Sequence, residues 1–287
     1  MFNSIRENIE RRLGIAHPQA EARQPMLIEN AVQFSGRYRN WRANENLNNY
    51  PFIVNEHAPF VPARRALPML NLALVSSAGA YIDGTTPFDT TARDGDATFR
   101  EIPIEVEAAD LIYAARGYDP AAIRADMNSQ IPVARLVEYA DNGVIGNLNN
   151  VWWSLNGYIP NARLVSDQLA PRIAERIARY EVQAALLIPA SRLCHQTMGI
   201  IARALEAANV PTIMLSVDGA MTDRVRPPRT AFYDGEFGSV AGKPNWKEHQ
   251  LRILDESLRW IETFDQPGAK KLGVRLETEV EQSRGER

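Results

Sequence analysis

Cys194 is the only cysteine among 287 residues. It follows Ala184-Ala185-Leu186-Leu187-Ile188, a short apolar run that reads as a buried strand. After it Met198, Ile201, Leu205 and Ala208 recur at helical spacing, so a helix begins near His195. A thiol at a strand-to-helix turn lies beside unpaired backbone N–H groups and the positive end of the helix dipole. Both favour thiolate, so a thiol pKa below the free value is expected. The alternative is a buried cysteine packing as a small, inert hydrophobe. His195 adjoins the thiol and would raise the thiolate fraction if protonated, although such a histidine is more often a cap or a surface residue. Ser191 stands three residues before Cys194, so the two share one turn at the helix start. This is the spacing of a Cys-x-x-Cys pair with one thiol replaced by a hydroxyl, which excludes a reversible internal disulfide.

Other groups gather around the same expected sheet end. Leu70–Val75 reads as a buried strand ending at Ser76-Ser77-Ala78-Gly79, whose backbone N–H groups could face a carboxylate or phosphate. Arg226-Pro227-Pro228-Arg229 is a stiff basic loop able to hold guanidinium groups for bidentate anion binding, or else a solvated turn. Asp126, Asn128 and Arg135 bracket Pro132 and read either as polar site residues or as caps of the next helix.

The elements that must position these groups follow from periodicity. Apolar runs at Ile102–Val106 and Leu111–Ala115 suggest strands, and Asp119-Pro120 starts a helix. A helix from about Val133 ends at Asn142-Gly143, Val151–Leu155 reads as a strand, and 162–180 is helical with Pro171 opening or kinking its second half. Strand 184–188, helix 195–208 and strand Pro211–Val217 make a βαβ crossover, with Asn209 as a helix C-cap. A last helix spans about 245–264. The fold class is therefore α/β, a mainly parallel sheet with flanking helices in Rossmann-like layers and an extended N-terminal arm. Residues 1–68 hold that arm, preceded by an amphipathic repeat of Ile5, Ile9 and Leu13. Residues 69–265 form the α/β domain, and 266–287 a mobile charged tail. In an open sheet of this kind, ligands bind beyond the carboxyl ends of the strands.

A net charge of −3 gives no electrostatic case for nucleic acid or an anionic membrane. No stretch approaches the roughly 18 apolar residues of a membrane helix. A lone cysteine excludes a cysteine-rich zinc site, and no metal or cofactor is called for. Cysteine usage and the absence of a signal-peptide pattern fit a cytoplasmic protein.

Several segments together resemble a known family. They are Leu74–Gly79, Gly95–Pro103, Asp126-Met127-Asn128, Pro132–Leu136, Gly143–Gly146, Cys194-His195-Gln196-Thr197, Ile201–Glu206 and Pro228-Arg229, in family order over roughly residues 35–265. The chain resembles the selenoprotein B group of glycine, sarcosine, betaine and D-proline reductases. That resemblance implies reductive cleavage of a carbon–nitrogen bond by a selenolate or thiolate, with a partner subunit whose pyruvoyl group often activates the substrate. The family's nucleophile, a selenocysteine or cysteine, stands where this chain has Ser191, and a histidine common near Ala115 is also missing. The expectation is thus a divergent component-B-like enzyme acting on a small, nitrogen-containing carboxylate through a single thiol. Cys194, His195 and Ser191 are its catalytic candidates, and Ser76, Ser77, Arg100, Asn128 and Arg229 its substrate contacts. The expected partner is a reductase subunit or a second copy of the chain. A non-catalytic binding subunit, and a non-redox lyase or hydrolase of a specialised biosynthetic pathway, are the alternatives.

Overall fold

The computed structural model describes residues 27–274. Among the described residues, ten strands and the helices between them form a three-layer α/β body. The main sheet runs β10 (Gly268–Lys271), β9 (Arg229–Phe232), β8 (Thr212–Ser216), β7 (Ala184–Ile188), β1 (Asn71–Ser76), β6 (Val151–Leu155), β3 (Phe99–Pro103). The short β5 (Asn147–Leu148) also pairs with the start of β1. All these pairings are parallel except that of the edge strand β3 with β6. A separate two-stranded ribbon joins β2 (Ala80–Ile82) to β4 (Leu111–Tyr113).

Both faces of the sheet are covered, which is why β1, β7 and β8 read as continuous apolar runs rather than alternating ones. Leu72 and Leu74 of β1 and Leu186 and Ile188 of β7 face one core, completed by helix α1 (Val133–Asp141) and helix α4 (Lys247–Thr263). Ala73, Val75, Ala185 and Leu187 face the other, against helix α2 (Ala170–Arg179) and helix α3 (Arg192–Ala207). Pro171 sits in the first turn of α2, and the five residues before that helix, Val165–Leu169, wind as a π-helix, consistent with the backbone hydrogen bond that proline cannot donate.

The N-terminal arm lies on the protein's own body. Its helix, Ala31–Trp41, was not expected from the proline-rich sequence around it. The arm is fastened by Tyr50 Oη donating to Pro160 O at 2.6 Å, Ile53 N to Gln196 Oε1 at 2.9 Å, and Asn55 Nδ2 to Val225 O at 2.7 Å. The chain past Pro267, read from sequence as a mobile tail, instead adds β10 to the sheet edge and buries Leu272 and Val274. The amphipathic repeat at 5–13 and residues 275–287 lie outside the described residues. Among the described residues, no helix is long and apolar enough to cross a membrane.

From β1 the chain crosses to β6 on one side, then returns past β1 to β7 on the other. The order of strands β6, β1, β7, β8, β9 therefore reverses direction between β1 and β7, the position at which a doubly wound sheet opens a crevice for ligands.

Candidate functional site

The turns after β1 and β7 meet at that switch point. Ala190 N donates to Ser77 Oγ at 3.0 Å, and Ser77 N donates to Ile188 O at 3.2 Å. Ser191 is the N-cap of α3. Its hydroxyl accepts from Cys194 N at 3.3 Å and donates to Cys194 Sγ at 3.0 Å. The thiol in turn lies 3.9 Å from Ser77 O. Ser77, Ser191 and Cys194 thus form one buried cluster, as the strand-end rule predicts, with Ser76 beside it. The backbone amides of the Ser76 turn are not available to an anion, however. Ser77 N is spent on Ile188 O, Ala78 N on Ser76 Oγ, and Gly79 N on Leu155 O.

The cluster has a floor and a roof that the sequence did not single out. Gly157, just past β6, donates to Ser77 O at 3.1 Å and accepts from Thr197 Oγ1 at 2.8 Å. A Cβ on Gly157 would fall 2.5 Å from Ser77 Cβ and 2.9 Å from Cys194 Sγ, so only glycine lets the backbone approach the thiol this closely. Above, Tyr118 Oη donates to Ala78 O at 2.7 Å, and exposed Gly117 stands over Ser191 with Tyr158 alongside.

The electrostatics overturn the expectation of a ready thiolate. Cys194 is 1% exposed, and burial pushes its thiol pKa up despite hydrogen bonds from Ser191 and Ala190 that favour the anion. His195 does not assist it. Successive helix positions point about 100° apart, so His195 faces β8 rather than the sulfur. Its Nδ1 donates to Ser191 O at 2.7 Å and its Nε2 accepts from Val217 N at 3.2 Å, which fixes one neutral tautomer. Burial lowers its pKa to about 4, against weaker opposing effects of Ser191 O and Asp218. His195 is therefore a buried clamp between the turns after β7 and β8.

That clamp has a pH signature. The unfolded chain takes up the proton first, near pH 6.5, while the folded chain resists it to about 4. The stability contributed by neutral His195 is complete above the unfolded value and is lost as pH falls through this window. Unfolding free energies from urea titrations at pH 7 to 4 should fall more steeply for the parent than for His195→Gln, by up to about 1.4 kcal/mol per pH unit. Parallel slopes would show that the imidazole is not held neutral by the fold.

Three sequence-nominated residues lie elsewhere. Arg229 opens β9 and so sits at the amino-terminal end of the sheet, away from the site. It is fully buried, ion-paired with Glu206, donates to Val61 O, and stacks 4.0 Å from the centroid of Phe60. Arg100 lies on the antiparallel edge strand, bonded to Thr86 O, Pro87 O and Thr98 Oγ1 over the ring of Phe88. It lines a surface cleft of about 420 Å³ with Arg172 and Arg176. Asn128 accepts from Ala134 N at 3.1 Å and caps the entry of α1, facing a different open cleft of about 860 Å³. As for metal binding, Glu29, Glu56 and His57 come close enough together to hold an ion. The Glu29 carboxylate, however, already accepts from the amides of Glu56 and His57 and is faced by Arg203 at 3.6 Å.

Residues 44–190 match the family model of glycine/sarcosine/betaine reductase selenoprotein B. The chain belongs to that family. The match ends one residue before Ser191, so the Ser191–Cys194 turn falls just past it. Among curated relatives, the D-proline reductase subunit gamma of Acetoanaerobium sticklandii is 27% identical over 213 residues, covering 74% of this chain and 86% of the relative. The glycine reductase complex component B subunit gamma of Symbiobacterium thermophilum is 27% identical over 170 residues, covering 57% of this chain but only 38% of the relative. No solved structure matches significantly. Both relatives are named as subunits of reductases, and this chain is similar to such components.

Proposed function

We propose that this chain is a reductase-complex component that binds a small, carboxylate-bearing nitrogen compound, of the kind named by its relatives, at the β1–β7 switch point. The observation that carries this reading is the contact of Ser191 Oγ with Cys194 Sγ at 3.0 Å, on the first turn of α3 and in a chain of this family. Ser191 occupies the position of the family's nucleophile, but a hydroxyl with no adjacent base is a poor one. Cys194 is then the working group. Burial keeps it protonated, so it serves as a hydrogen-bond and proton donor to the bound substrate rather than as a standing thiolate. Ser77 ties the β1 turn to the β7 turn, and His195 ties the β7 turn to the β8 turn, around it. A single reduced thiol fits a cytoplasmic setting, with a reductase partner subunit or a second copy completing the assembly.

The test is turnover in the reconstituted complex. Cys194→Ser should abolish it, whereas Ser191→Ala should weaken it without abolishing it. If both variants turn over like the parent while ligand binding persists, thiol catalysis is wrong. The buried, hydroxyl-substituted site is then that of a non-catalytic binding subunit.

A further inference from the structure

Arg116 directly precedes Gly117, whose backbone packs against Ser191, and it uses only part of its guanidinium. Its Cζ lies over the ring of Tyr158, 4.3 Å from the centroid, and Nη1 donates to Ala92 O at 3.0 Å. Among the described residues no carboxylate lies within ion-pair distance of Arg116, although Asp89 is near enough to feel its charge. A guanidinium stacked by its face keeps its edge N–H groups directed outward in the plane, which suits bidentate capture of a carboxylate. The next residue, Gly117, is exposed, and a Cβ there would lie 2.6 Å from the Tyr158 ring and 3.3 Å from Ser191 Oγ. Ser191 Oγ therefore lies directly beneath an exposed glycine, with the arginine next to it in sequence and Tyr158 on its flank. Tyr158 senses both groups, since Arg116 and Cys194 act oppositely on its hydroxyl. The two arginines nominated from sequence have no such position, being engaged by Glu206 and Val61 O, or by Thr86 O and Pro87 O.

We infer that Arg116, braced on Tyr158 beside Gly117, is the carboxylate-recognising residue at the entrance to the Cys194 site. This rests on the reading of Cys194 as the working thiol. It makes the site selective for anions over neutral isosteres of equal size, a property independent of which amino acid is the natural substrate.

Iodoacetate and iodoacetamide differ in this one respect and both alkylate thiols, so Cys194 itself reports the selectivity. Labelling rates are measured on the native full chain for the parent, Arg116→Gln and Arg116→Lys. The iodoacetate-to-iodoacetamide ratio should fall roughly tenfold in Arg116→Gln, the scale of a lost charge-assisted hydrogen bond, and recover in part in Arg116→Lys. The iodoacetamide rate should stay at the parent value, which also shows that the variants fold. An unchanged ratio in Arg116→Gln would overturn the assignment of Arg116 and leave the thiol reading standing. If neither reagent labels Cys194 until the parent is unfolded, the thiol reading fails and Arg116 fails with it.

Discussion

Glu206→Gln is expected to lower the free energy of unfolding by about 3–5 kcal/mol, and Arg229→Met by less, although the two variants break the same ion pair. Both side chains are fully buried. Glu206 accepts from Val61 N, from Thr212 N and Oγ1, and from Arg229. Burial opposes both charges, and it pushes the Glu206 carboxyl up to about 7 against the pull of Arg229 and these donors. An arginine left without its partner cannot shed its proton, so Glu206→Gln strands a charge in the core. A glutamate left without its partner can neutralise by taking one up. The Arg229→Met penalty should therefore shrink as pH drops from 8 to 6, whereas that of Glu206→Gln should grow, because the parent's Glu206 takes up a proton near 7 that glutamine cannot. Urea unfolding at both pH values separates these results, and equal, pH-independent losses would mean that the pair does not carry opposed charges. The N-terminal arm is coupled to this pair, because Val61 both donates to Glu206 and accepts from Arg229.

This pair also marks where sequence reading runs out. Arg229 follows two prolines and reads as a basic loop, yet β9 begins at that residue and its partner lies 23 positions earlier on another element. Nothing local signals such a contact. The same limit explains β10, whose Lys270 and Lys271 look like tail residues. An edge strand can be held by backbone hydrogen bonds to a single neighbour, without an apolar pattern. The crossover of β7, α3 and β8 was legible because continuous apolar strands and a 3.6-residue period are strong signals, and the meeting of Ser77 with Ser191 and Cys194 followed from topology. His195 misled because adjacency in sequence is not adjacency on a helix. Gly117, Tyr118, Gly157 and Tyr158 escaped notice because a floor and a roof are assembled from distant loops.

The turn after β7 yields the other large effect. Ser191→Cys should convert the site into a dithiol that closes to a disulfide in air. Ser191 Oγ and Cys194 Sγ already lie 3.0 Å apart, so the new sulfur needs only a small rotamer adjustment to approach the roughly 2.05 Å of an S–S bond. Gly117, having no side chain, leaves space above the position for the larger atom. The new thiol would occupy the N-cap of α3 and accept from Cys194 N, as Ser191 Oγ does now, which favours its thiolate over that of the deeper Cys194. The thiolate at residue 191 would then attack the substrate or oxidant, and Cys194 would resolve the product by closing the disulfide. Intact mass should drop by two hydrogens on oxidation, and thiol titration should give no free groups until reductant is added. The midpoint should fall in the range of other Cys-x-x-Cys couples, on the order of −120 to −270 mV. Dithiol-dependent reductase activity appearing in this variant and absent from the parent would locate the loss of the family's redox cycle at this one side chain. Two freely labelled thiols in the oxidised protein would instead mean that α3 holds residues 191 and 194 too rigidly apart for the cycle to have run here.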